Sequence, residues 1–170
     1  MNAEILVVFT VGTSASGKST WARALSGRFP HLQVQILERD QLRRELHAER
    51  HATPFSWANW NTQQESEIQE RWLQRVQGLL DADVLVLADT HIDPEQLARE
   101  ATLMADLGVR EMALQYFPAH PLVELIRHDQ SRSLPVGAAV LREQIQRLRP
   151  EDEYWHSLEA VSASCAKLKA

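Results

Sequence analysis

The run "GTSASGKST", residues 12–20, matches the spacing G-x-x-x-x-G-K-S/T in full, and its Lys18 is the only lysine ahead of Lys167 and Lys169. That spacing makes a phosphate grip. Backbone N–H groups of Gly12, Thr13, Ser14, Ala15, Ser16 and Gly17, with the positive end of a following helix, surround the phosphates of a nucleoside triphosphate such as ATP. Glycines are needed where a Cβ would block that approach. In such a loop Lys18 reaches the β- and γ-phosphates, Ser19 holds Mg²⁺ and Thr20 lies near the α-phosphate. The motif alone does not separate a kinase from an NTPase.

A second constellation is "ERDQLRREL". It closes an alternating apolar run, so Asp40 is expected to emerge at the carboxyl end of a strand, the rim on which open α/β sheets bind ligands. A carboxylate there accepts the proton of an attacking hydroxyl, and Arg43, one helical turn on, projects with it toward the acceptor. The alternative for Asp40 is a plain N-cap, and Arg43 and Arg44 also suit solvated positions. Asp89 ends "DVLVLAD", where a carboxylate holds Mg²⁺ through water or braces an arginine of the site. Thr90 beside it contacts an acceptor or caps the strand-end turn. Arg132 lies between two helical patterns, in a stretch suited to a lid whose guanidinium offsets charge on a transferring phosphoryl group, and Arg127 is close enough to take that role. His47 and His51 have metal-ligand spacing without the H-E-x-x-H pattern, and a solvated helix end is expected. Phe55, Trp57 and Trp60 either stack on a base or pack a helix down, the second being the default.

These residues need a scaffold that alternates strand and helix. "EILVVFT", "LQVQILE", "DVLVLADT" and "REMALQYF" are the expected strands; helices are expected over "TWARALSGRF", "DQLRRELHAER", "PEQLAREATLMADLG", "HPLVELIRHDQ" and "AAVLREQIQRLR". In "TQQESEIQERWLQRVQGLLDA" a stripe of Ile68, Trp72, Val76 and Leu79 predicts a long amphipathic helix. Four apolar strands separated by helices make an α/β fold, a parallel sheet covered on both faces.

The chain of 170 residues is expected to form a single domain, with residues 158–170 a flexible tail. A net charge of −5 argues against a protein that coats nucleic acid, while leaving room for a basic cleft. One cysteine, Cys165, excludes a disulfide framework and a Cys-based zinc site. The longest apolar run, Ile5–Val11, is far short of a membrane span, and a soluble cytoplasmic protein with no membrane partner is expected.

"GTSASGKSTWAR", "ERDQLRREL", "VLADTHIDPE" and "ELIRHDQSR" resemble, in matching order and at similar spacings over residues 4–145, the kinase domain of the phage polynucleotide kinase-phosphatase family. By position the family's catalytic set falls on Lys18, Ser19, Asp40, Arg43 and Arg132. The resemblance implies a P-loop kinase with four to five parallel strands in order 2-3-1-4, helices on both faces and a helical lid. It also implies transfer of the ATP γ-phosphate to 5′-hydroxyl ends of DNA or RNA, with Asp40 as base, Arg43 on the acceptor's neighbouring phosphate, and Asp89 and Thr90 at the acceptor; a homo-oligomer is compatible with it. Ser14 and Ala15 replace the family's Pro-Gly, and His91 replaces an asparagine in its "SDTN". No D-x-D-x-T motif of a phosphatase half is present. The main rival is a kinase of a small molecule or of a modified base in phage DNA; a second is a regulatory module whose ATP site drives binding.

Overall fold

The computed structural model describes residues 5–161 and 164–167. The run Leu6–Val11 forms β1, and its side chains are buried on both faces, which is what an almost unbroken β-branched segment achieves only at the centre of a sheet. Beside it lie β3 (Val84–Leu87), with all four residues buried, and β4 (Glu111–Tyr116). The outer strands are β2 (Val34–Leu37) and β5 (Ser164–Lys167). All neighbours pair in parallel, in the order β2-β3-β1-β4-β5. Leu6 stands level with both Val84 and Glu111, and Val34 with Val84, so the strands end together on one rim.

The helices follow the expected pattern with adjusted ends: α1 (Lys18–Arg28), α2 (Arg39–Arg50), α3 (Glu65–Gln77), α4 (Pro94–Asp106), α5 (Leu122–Gln130), α6 (Ala138–Arg147) and α7 (Glu151–Glu159). Asp93 caps α4 by accepting from the Glu95 N–H at 3.0 Å, with Pro94 at the first helical position. The helix expected from residue 62 starts with a 3-10 turn, Thr62–Gln64, because Asn61 caps it by accepting from the Gln63 N–H. It stops before Leu79, at Gly78. Ile68, Trp72 and Val76 are the fully buried part of its stripe.

Two apolar layers sandwich the sheet. On one face Val7, Phe9, Leu85, Leu87, Met112 and Leu114 pack with Leu42 and Leu46 of α2, the α3 stripe, Leu97 and Met104 of α4, and Tyr154 and Leu158 of α7. On the other, Val8, Val84, Val86 and Ala113 meet Ala22 and Trp21 of α1. α5 and α6 pack on each other, with Leu125 and Leu141 buried.

The expected flexible tail over 158–170 is corrected in part. α7 runs to Glu159 and β5 pairs with β4 from Ser164↔Glu111 to Lys167↔Leu114, giving the backbone groups on that edge of β4 their partners. Residues 162–163 and 168–170 lie outside the described residues. Among the described residues no helix is long and apolar enough to cross a membrane.

Candidate active site

The ends of β1, β2, β3 and β4 open onto one cleft of about 990 Å³, lined by Ala15 to Thr20, Glu38, Asp40, Arg43, Asp89, Thr90 and Arg132, among others. Its floor is the loop between β1 and α1. The Gly12 N–H donates to the Thr90 carbonyl at 3.0 Å, and the Phe117 N–H to the Val11 carbonyl at 2.8 Å, so the loop's entrance is tied to the ends of β3 and β4. A Cβ at Gly12 would sit 2.8 Å from the Phe117 Cβ and 2.9 Å from the Ser16 Oγ, which excludes any larger residue. Gly17 holds φ at 95° where α1 begins, and Ala15 holds φ at 61°. Ala15 carries a Cβ in the left-handed region, a cost of about 1–2 kcal/mol that a glycine would avoid.

Lys18 is 7% exposed, and its ammonium donates to the Gly12 carbonyl at 3.0 Å and to that of Thr13. Burial pulls its pKa down to about 8; Arg132 adds to the fall, while Asp89, Asp40 and Glu38 oppose it. One lysine thus senses a cation from the α5–α6 connection and three carboxylates from the rim of β2 and β3.

Asp40 is the second residue of α2; the cap position belongs to Glu38, so the plain-cap alternative does not describe it. Its carboxylate accepts from Arg43 at 2.8 Å. Burial raises its pKa, Arg43 opposes that, and Asp89 reinforces it. Arg43 is held on a second side by a two-pronged contact with Glu65, both at 2.9 Å, and its guanidinium lies 5.7 Å from the Trp57 ring centre. The Trp60 indole N–H fixes Glu65 in turn, at 2.7 Å. The aromatic segment therefore packs, as the default expectation had it, and what it packs around is the Arg43–Glu65 pair.

Asp89 braces an arginine. Its Oδ1 accepts the Arg39 N–H at 2.9 Å and its Oδ2 accepts from the Arg39 guanidinium at 2.5 Å. Arg39 is buried, stacks over Trp72 at 4.2 Å, and reaches Glu100 at 2.8 Å. Glu100 also meets His91, whose Nδ1–H donates to the Thr10 carbonyl at 2.8 Å and whose Nε2–H donates to Glu100 at 3.0 Å. The Thr10 carbonyl only accepts, and an ionised Glu100 only accepts, so this pair of contacts favours the doubly protonated ring. Burial pulls His91 down, but the hydrogen bond and charge of Glu100 outweigh it and raise the pKa. Glu100 falls to about 2, because His91 and Arg39 outweigh the effect of its burial. Arg39, His91, Asp89 and Glu100 thus lock the start of α2 and the middle of α4 to the ends of β1 and β3.

Arg132 lines the cleft and Arg127 is exposed outside it. Buried Asp129 organises the connection between α5 and α6, accepting from the Val136 N–H at 3.0 Å, the Gly137 N–H at 2.8 Å and Arg132 at 3.3 Å. Gln144 of α6 accepts the Ser14 N–H at 2.7 Å, so α6 rests directly on the phosphate loop. Thr90 lines the cleft through the same rim. His47 and His51 stack at 4.6 Å between ring centres, His47 donates to the Thr53 carbonyl, and among the described residues no group of three His, Cys, Asp or Glu is placed to hold a metal ion.

Sequence reasoning missed Arg39, Glu65, Glu100, Asp129 and Gln144. Two of these left a signal: Glu100 falls on the buried face of α4 with Leu97, Ala101 and Met104, and Asp129 follows Leu125 by four residues on α5. A carboxylate on an apolar helix face needs a partner.

A family model described as an AAA domain matches residues 7–151. Comparison with curated proteins finds no match. Among solved structures, an APS kinase from Mycobacterium tuberculosis in complex with AMPPNP and APS has 20% identity and a TM-score of 0.57, over 93% of this chain and 96% of that one. A shikimate kinase from Acinetobacter baumannii in complex with shikimate has 14% identity and a TM-score of 0.53, covering 99% and 86%. A gluconokinase from Sinorhizobium meliloti has 13% identity and a TM-score of 0.52, covering 100% and 86%. At these identities the likeness concerns the fold: a parallel sheet in which the first four strands run 2-3-1-4, as in a P-loop kinase.

Proposed function

The chain belongs to the AAA domain family, and on that premise we propose that it is an ATP-dependent phosphotransferase acting on a hydroxyl, with the 5′-hydroxyl end of DNA or RNA as acceptor. The observation that carries the transfer reaction is that Lys18, Asp40, Asp89 and Arg132 line one cleft. A phosphate grip, a base with a raised pKa and a lid cation share one cleft. Asp40 takes the proton from the attacking hydroxyl, and Arg43, pinned by Glu65, fixes which way that carboxylate points. Lys18 and Arg132 offset the charge that spreads over the phosphoryl group as it transfers.

The oxygen donors around the loop suit Mg²⁺, a hard cation that takes hydroxyl and carboxylate oxygens and keeps several waters. Bound with the nucleotide, Mg²⁺ neutralises charge on the β- and γ-phosphates. Ser19 supplies the hydroxyl in this chain.

Arg23 and Arg44 support an acceptor that carries its own phosphates. Both line the cleft, both are exposed, and neither has an ion-pair partner among the described residues. A second reading is a small-molecule kinase, the class for which the APS kinase, shikimate kinase and gluconokinase are named. The saturation of Arg43 by Asp40 and Glu65 favours it, since a guanidinium so occupied has fewer donors left for an acceptor phosphate.

Labelled ATP offered with 5′-hydroxyl DNA, 5′-hydroxyl RNA, nucleoside 3′-monophosphates, free nucleosides and sugars separates the two. Labelling of the oligonucleotides and of nucleoside 3′-monophosphates, with free nucleosides poor, is the expected result. Efficient labelling of a nucleoside or sugar with none of the oligonucleotides would replace the first reading with the second.

A further inference from the structure

Three carboxylates of the cleft act on Lys18, namely Asp89, Asp40 and Glu38, and only two of them are satisfied. Asp89 has both oxygens on Arg39, and Asp40 is paired with Arg43. Glu38, at the junction of β2 and α2, has neither an ion pair nor a side-chain hydrogen bond among the described residues, and its Oε1 is buried with no partner. A buried carboxylate oxygen without a donor is costly in native proteins, and because Glu38 lines the cleft its partner has to come from there.

We propose that Glu38 is the carboxylate that holds the divalent cation of the donor nucleotide, directly or through one of the cation's waters; this rests on the kinase reading of the same cleft. Asp89, the residue that strand-end position alone singles out for the metal, has its oxygens committed to Arg39. Glu38 is the carboxylate with capacity left, and it shares the cleft with the Ser19 hydroxyl. A neutral hydroxyl from an acceptor would fill one lone pair and leave the charge uncompensated. A hard dication compensates both, and once phosphates draw Lys18 toward themselves the carboxylate needs that compensation more.

The test compares wild type with Glu38→Gln, using ADP and a non-hydrolysable ATP analogue. Calorimetry in EDTA gives the metal-free nucleotide affinity, and Mn²⁺ paramagnetic resonance gives the metal affinity of the nucleotide complex. The expected result is a metal-free affinity no lower than that of wild type and a Mn²⁺ affinity lower by about 10- to 100-fold. Glu38→Asp, which keeps the charge but withdraws it by one methylene, should fall between the two, and it provides the same measurement if the Gln variant does not fold. Equal Mn²⁺ affinity in wild type and variant, with or without a raised KM for the acceptor, overturns the proposal. Equal losses with and without metal overturn it too, because they assign Glu38 to the loop's shape. A wild-type protein that binds no nucleotide under either condition overturns the kinase reading along with it.

Discussion

Lys18 is held as a buried cation against the grain of its solvation, and that has a measurable signature. Its pKa, ordinarily 10.5, falls to about 8, chiefly through burial. Between those values the unfolded chain binds more protons than the folded one, so this residue makes stability rise with pH across the window; below it both states are charged and the folded state bears the whole cost of burial. Lys18→Met should therefore gain stability relative to wild type at neutral pH, and this relative gain should shrink by about 2–3 kcal/mol between roughly pH 7 and pH 10, as urea melts at the two pH values would show. Transfer moves the other way, with turnover in that variant lower by about 10²–10³-fold or more, because the charge acts on bound phosphates. Asp40 gives a second test at this scale. Asp40→Asn keeps the shape and the contact with Arg43 but cannot take a proton, so turnover should fall about 10²–10⁴-fold while nucleotide affinity measured by calorimetry stays put. Unchanged turnover would remove Asp40 from the reaction.

The connection between α5 and α6 places Arg132 at the cleft, and its shape depends on a single buried carboxylate. Asp129 gathers the N–H groups of Val136 and Gly137 and the Arg132 side chain, with Gly137 at a φ of 89°. Asp129→Ala should cost about 1–3 kcal/mol, raise hydrogen exchange across residues 131–137, and lower turnover more than ground-state nucleotide affinity. Exchange rates equal to wild type would show that the segment holds its shape by other contacts. This element also marks where the sequence stops being legible. The strands, the α3 stripe and the phosphate loop declare themselves because period and spacing are local properties of a chain. Arg39, Glu65 and Glu100 do not, because each acts through a partner 22 to 61 residues away, and only the fold makes them neighbours. β5 stayed hidden for a related reason: the four residues "SCAK" become a strand only because β4 presents an open edge.

The charge of the whole molecule bears on what the cleft can accept. On the proposed polynucleotide reading, a net charge of −5 works against binding a polyanion along its length, so the strand would be held at the end that enters the cleft. Arg23 and Arg44 have no ion-pair partner among the described residues, and Arg132 has a single contact with Asp129. Two or three cations neutralise about two or three phosphates, and single strands lose affinity with salt at a slope of about −0.7 per phosphate neutralised. With ATP and Mg²⁺ saturating, the logarithm of kcat/KM for a 5′-hydroxyl oligonucleotide should then fall against the logarithm of salt concentration with a slope of about −1.5 to −2. Lengthening the oligonucleotide beyond about three or four nucleotides should change neither slope nor KM, since the cations counted above all line the cleft. Arg44→Gln should make the slope shallower by about 0.7 and weaken all sequences alike. A slope near zero would mean an acceptor without phosphates, as a sugar or nucleoside kinase would show. A slope that steepens with every added nucleotide would mean a binding track outside the cleft, on a surface whose net charge is against it.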